Sequence, residues 1–273
     1  MNDIIVAPPK TSGPKARKLR SWVHRIALFL AVFTPVFFAV SALGTRFGVW
    51  DWTFGFGKLA GGIGAKLIFA TLLAGVLALL VSVFVKPRKG WWIVVLALVV
   101  PIVALAKGAS VQRTAKALPL IHDITTDTQN PPVFSGIILK ERAATTGVNT
   151  LDYIGKMEKM REKTLVSVLQ VRDYPDIRPL ILASSPDTVF GEALATARAM
   201  GWNIAHEDAE KGIIEATATT SWFGFKDDVS IRIQPSSGGG SVLDIRSVSR
   251  VGMSDLGANA DRIRAFTAKM SED

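Results

Sequence analysis

The side chains whose types and spacing could do chemistry gather near the end of this chain. They are the adjacent Asp227 and Asp228, then Arg232, Arg246, Ser249, Arg250, Ser254, Asp255 and Asn259. A serine nucleophile could be sought among Ser247, Ser249 and Ser254, with Asp255 as partner. No nucleophile-elbow pattern surrounds them, and His206, the single histidine of the C-terminal domain, belongs to a different strand. Asp227 and Asp228 resemble an acid–base pair only on paper, because adjacent strand residues point to opposite faces. Gly238, Gly239 and Gly240 sit in a hairpin rather than between a strand and a helix, so they cannot cradle phosphate as a P-loop does. His122, Asp123 and Asp127 could be imagined around a metal, but local turn bonding explains those residue types better, and no metal or other cofactor is expected. What remains is a ligand-binding candidate set: Asp228, Arg232, Arg246, Ser249, Arg250, Ser254, Asp255 and Asn259.

The elements that must position this set are two strands and a helix. In 229–234 the apolar residues are Val229, Ile231 and Ile233, with Ser230, Arg232 and Gln234 on the other face. In 242–250, Leu243 and Ile245 oppose Asp244, Arg246 and Arg250. Residues 235–241 supply the turn. If Gln234 faces Val242, Arg232 lies opposite Asp244 and Asp228 is diagonal to Arg246. That face is either a solvated surface laced with weak ion pairs or a face that binds a ligand or partner. Arg250 and Asp255 are expected in one hydrogen-bonded network at the turn into the last helix, with Asn259 as its cap.

The same stretch carries a family likeness. Phe225-Lys226-Asp227-Asp228, Arg246-Ser247-Val248-Ser249-Arg250 and Ser254-Asp255-Leu256-Gly257 resemble the signature of the domain of unknown function 1499 family, found in bacteria and plant plastids. The family's usual elements are Phe-Val-Asp-Asp and Arg-Ser-Ala-Ser-Arg, so Lys226 and Val248 depart from the pattern. Residues 122–134 and 174–180 fit as well, and the likeness runs over roughly 120–270. It implies a fold and a family, but no established activity.

Composition separates two halves. Residues 1–111 hold 13 Lys and Arg against two acids, and the rest holds 19 against 21, so a net charge of +9 is really +11 followed by −2. No basic domain exists to make a nucleic-acid footprint; the positive charge belongs to an apolar region, where it sets orientation in a bilayer. After a basic N-terminus (1–21), three apolar segments are expected to span: about 22–43, 63–85 and 91–107, within a region 22–110. Pro35 is a possible kink in the first, and Trp91-Trp92 suits an interfacial belt at the third. The third has only 16 apolar residues before Lys107, so an interfacial or re-entrant segment is the alternative. The first could also be a cleaved signal segment, with Ala39 and Ser41 before the cut.

Lys10, Lys15, Arg17, Lys18, Arg20 and Arg25 precede or open the first span, and Lys86, Arg88 and Lys89 separate the second from the third. The positive-inside rule then puts those sides in the cytoplasm and everything after the third span outside. The absence of cysteine removes disulfides, thiol catalysis and a lipidated cysteine anchor.

Residues 111–176, with Pro119, Pro131 and Pro132, read as a linker and lead-in. Residues 177–273 read as an exported α+β domain: an antiparallel sheet with two helices on one face. Ser185, Pro186 and Asp187 open the first helix and Gly201 closes it. The expectation is therefore a multi-pass inner-membrane protein with a non-catalytic outer module. Its partners would be the lipid bilayer and, beyond it, an envelope protein, a lipid or a small anionic ligand. The alternatives are a hydrolase acting on an envelope component, or an accessory subunit, for which Gly61, Gly62 and Gly64 offer a close-packing surface.

Overall fold

A computed structural model describes residues 12–271, so Lys10 and the rest of the extreme N-terminus lie outside the described residues. The chain divides into two compact units, Met1–Val111 and Gln112–Asp273.

Three helices in the first stretch of chain are long and apolar enough to cross a membrane: Pro14–Arg46, Thr53–Phe84 and Trp91–Ala117. They contain α1 (Pro14–Arg46), a π-helical stretch Thr53–Gly64 running into α2 (Ala65–Phe84), and α3 (Trp91–Ala117). The second helix begins earlier than expected because a glycine-rich segment coils instead of looping. Helix α3 does not stop at Lys107; its 27 residues reach about 40 Å at 1.5 Å per residue. Helix α1 runs through Pro35. Ala27, Ala31, Ala74, Ala78, Val94 and Ala97 make the seam of this unit. At Gly75 a Cβ would lie 2.6 Å from the Ala97 carbonyl oxygen, so only glycine allows the approach of α2 to α3. Polar pairs stitch the seam: Thr34 Oγ1 to Thr71 Oγ1 at 2.7 Å, and His24 Nε2 to Ser82 Oγ at 2.8 Å.

The second unit is α+β. Its strands are β1 (Asp123–Thr125), β2 (Leu180–Leu182), β3 (Asn203–Asp208), β4 (Ile213–Thr219), β5 (Lys226–Pro235) and β6 (Ser241–Ser249). They pair antiparallel in the order β1-β6-β5-β4-β3, and β2 pairs with the other end of β6. The hairpin register is the expected one, with Gln234 facing Val242 and Arg232 facing Asp244. Helices α6 (Pro186–Ala199) and α7 (Ala258–Met270) cover the apolar face. Val189, Ala193, Ile263 and Phe266 meet Ile214, Val229, Ile231 and Ile245 there, and Trp202 stacks on Phe266 with centroids 5.4 Å apart. Each such large side chain stabilises by about 1.5–3 kcal/mol on burial. Ser185 caps α6 as read, accepting from the Thr188 amide.

The segment 111–176 departs from its reading as a linker. Its residues to Ala117 continue α3, the rest carries β1, α4 (Gly136–Ala143) and α5 (Val166–Asp173), and from Gln112 onward it belongs to the same compact unit as the sheet. Ile121, Ile124, Ile138 and Leu169 in it are fully buried. Its apolar residues enter in short runs such as Leu120-Ile121 and Ile137-Ile138-Leu139, each too brief to show a sustained strand or helix period. A fragment of residues 112–273 is therefore expected to unfold cooperatively on heating. A fragment of 177–273, the boundary read from sequence, should lack a transition by circular dichroism because it loses Asp123, Glu141 and Arg142. A cooperative transition in the shorter fragment would contradict this account.

Candidate functional site: a charged sheet face under a loop cover

Strand alternation sends Asp228, Ser230 and Arg232 of β5 and Asp244, Arg246 and Val248 of β6 to the face opposite α6 and α7. That face is not solvated. Residues 123–153 cross it, leaving Asp228 wholly buried and Arg246 and Arg250 each 3% exposed. Charges so placed must be paired, and each finds specific partners.

Asp228 lies between two guanidiniums. Arg250 donates to it through Nε and Nη2, the latter at 2.7 Å, and Arg142 Nη1 of α4 donates at 2.7 Å. Thr217 Oγ1 of β4 adds a third donor at 2.9 Å. Arg250 Nη2 also reaches Glu141 at 2.8 Å, so two cations meet two anions. Burial pulls the Arg142 guanidinium down from its usual range; for Arg250, burial acts the same way but its bonds to Asp228 and Glu141 outweigh it. Both remain charged.

Arg246 makes a second centre. It grips Asp123 of β1 in a bidentate pair, Nε–Oδ1 3.0 Å and Nη2–Oδ2 2.8 Å. Its remaining donors serve the carbonyls of Pro132 and Leu151, and its guanidinium lies 5.4 Å from the Phe134 ring centre and 5.6 Å from that of Tyr153. Arg232 makes a third, nearer the rim, with Asp244 at 2.8 Å and the Asn130 carbonyl at 2.9 Å. Glu215 of β4 accepts from the Ser135 backbone amide and hydroxyl at the start of α4.

The other candidates stand elsewhere. Ser249 and Asn259 are on the helix side of the sheet, where Asn259 Nδ2 donates to Ser249 Oγ at 2.9 Å and to the His122 carbonyl at 3.1 Å. Ser247 Oγ donates to Asn259 Oδ1 and accepts from Arg262 Nη1, while Arg262 Nη2 reaches Asp227 at 2.5 Å. Asp227 and Asp228 therefore do face opposite ways. Ser254 and Asp255 lie in the turn before α7; the Asp255 carboxylate accepts from the Gly257 and Asn259 amides at 2.9 and 3.0 Å. Two expectations are corrected. Arg250 pairs with Asp228 and Glu141 and not with Asp255. Asn259 does not cap α7, since it stands inside the first turn and Asp255 does the capping. Burial raises the Asp255 carboxyl above its usual range, against the lowering effect of those amide bonds.

The eight candidates thus fall into three groups rather than one pocket. The serine hydroxyls of 247 and 249 meet an amide, not an imidazole. Among the described residues no three His, Cys, Asp or Glu side chains converge as a metal set. Asp123, Glu141, Arg142, Asp244 and Arg262 complete the arrangement and were not in the candidate set. Asp123 lay within a motif already quoted, whereas nothing in the local pattern of α4 marks Arg142.

A family model described as "Protein of unknown function (DUF1499)" matches residues 123–270. The chain belongs to this family. The match begins at Asp123, the partner of Arg246, so the DUF1499 region includes the cover as well as the sheet. No curated protein matches the chain.

Proposed function

We propose that this DUF1499 protein is a membrane-anchored component of a cell envelope whose C-terminal unit is exported and acts by binding, not by chemistry. The observation that carries the non-catalytic reading is the commitment of Asp228, Arg246 and Arg250 to buried partners, which leaves none of them free to move a proton or meet a substrate. These residues then serve as a polar lock that holds the cover on the sheet. The export reading rests on charge: Lys15, Arg17, Lys18 and Arg20 on one flank, and Lys86, Arg88 and Lys89 between α2 and α3, favour the cytoplasm under the positive-inside rule. An odd number of crossings then places the second unit on the other side.

A reporter enzyme that works only outside the cytoplasm, fused after residue 273 in a bacterial host, is expected to be active. Activity of a cytoplasmic reporter alone would overturn the topology. Crosslinking in cells from the C-terminal unit, with mass spectrometry of protein and lipid products, tests the binding reading; a captured reaction product in place of a ligand would favour the hydrolase.

A further inference from the structure

A cleft of about 160 Å³ opens on the second unit beside β1. Its polar lining is His122, Asn149, Lys156 and Lys159 with the carboxylates of Asp123 and Glu158, and its apolar lining includes Met157, Val166 and Met253. Two features of the polar lining are unsatisfied. The Nδ1 atom of His122 is buried without a hydrogen-bond partner. Lys156 is half-buried, its ammonium reaches only the Thr150 carbonyl at 3.5 Å, and among the described residues it forms no salt bridge.

The two carboxylates on the cleft lining are already engaged, and Asp152 acts on Lys156 electrostatically without an ion pair. Asp123 is held at both oxygens by Arg246. Glu158 accepts from the backbone amides of Met160, Arg161, Glu162 and Lys163. Desolvation pushes the Glu158 carboxyl up, but those amides outweigh it and bring it down to about 2. A half-buried cation outside any ion pair and a buried ring nitrogen without a partner each cost free energy that a bound group can recover.

We propose that this cleft binds a small organic anion, a carboxylate or phosphate monoester on a short apolar body. Lys156, which no ion pair neutralises, supplies a positive charge to the anionic head, and the exposed Lys159 on the same lining adds another. Burial holds the His122 imidazole neutral down to about pH 4, so its Nδ1–H tautomer donates to the anion without adding charge. Met157 and Met253 adapt to the apolar body, and a cavity of ~150 Å³ is known to suffice for a benzene-sized guest. The proposal deepens the binding reading and rests on it in that the unit binds without transforming.

The test uses the full chain in nanodiscs of zwitterionic lipid, with ¹³C-methyl methionine. Benzoate and phenyl phosphate should shift the Met157 and Met253 methyl signals saturably, while Met200 and Met270, which pack in or against the core, report that the fold is intact. Benzyl alcohol, lacking the charge, and inorganic phosphate, lacking the body, should bind at least about tenfold more weakly. Lys156→Gln should weaken benzoate by a similar factor with the Met200 and Met270 signals unchanged. Absence of saturable shifts at millimolar probe, or equal affinity in Lys156→Gln, overturns the proposal. Shifts confined to Met200 would sink the cleft and leave the binding reading standing. Phenol released from phenyl phosphate in the same sample would sink the binding reading and leave the cleft.

Discussion

Asp228→Ala is expected to cost the C-terminal unit about 3–5 kcal/mol, the range for removing one partner of a buried ion pair. Asp228 is fully buried and accepts from Arg142, Arg250 and Thr217. Without it, two guanidiniums face each other with only Glu141, itself 41% exposed, to balance them. For a unit of this size each kcal/mol moves the midpoint by roughly 2–4 °C, so a fall of roughly 6–20 °C is expected on heating residues 112–273. Asp228→Asn keeps the shape and one acceptor and should fall less. A ligand-binding role for this carboxylate makes the opposite forecast: nearly unchanged melting with lost capture of a crosslinked ligand.

The second large effect is on acid stability. Burial lowers the His122 imidazole from 6.5 to about 4. The unfolded chain takes up a proton below pH 6.5, while the folded protein refuses it until about pH 4. Stability from this group is therefore complete above pH 6.5, falls as pH drops from 6.5 to 4, and changes no further below that. The span is on the order of 3 kcal/mol at 1.36 kcal/mol per unit. Asp255 works the other way, because a carboxyl raised by burial gains stability as pH falls through its folded value toward its ordinary one. Glu158, lowered to about 2, loses its contribution between about 4.5 and 2. Comparing the wild type with His122→Phe isolates the histidine: urea midpoints of the wild type should drop between pH 7 and 4.5, and those of the variant should drop much less. Parallel curves for the two would place the ring in water.

Much of the second unit's frame is legible in the residues. Alternation in β5 and β6 sets the hairpin register and the Arg232–Asp244 pair, and the Ser185-Pro186 start of α6 is local chemistry. The site is less legible because its contacts are distant. Asp123 and Arg246 are 123 positions apart, and no periodicity links them. Proximity along the chain misleads at Arg250: Asp255 is five residues away, but alternation turns Arg250 toward Asp228, while Asp255 is drawn to the amides that open α7. Residues 111–117 continue α3, and the prolines and short polar residues of 118–135 read as a linker because irregular backbone satisfied by side chains leaves no regular signature. Their role as a lid over a charged sheet shows only in three dimensions.

The charged face is interior and locks the cover onto the sheet. A thermal double-mutant cycle on Asp123 and Arg246 within residues 112–273 tests it most directly. Asp123→Leu and Arg246→Met should each destabilise strongly, since either leaves a buried charge alone, and the double variant should lose far less than the sum of the two. Additive losses, or single variants that melt like the wild type, would contradict the account and return this face to solvent.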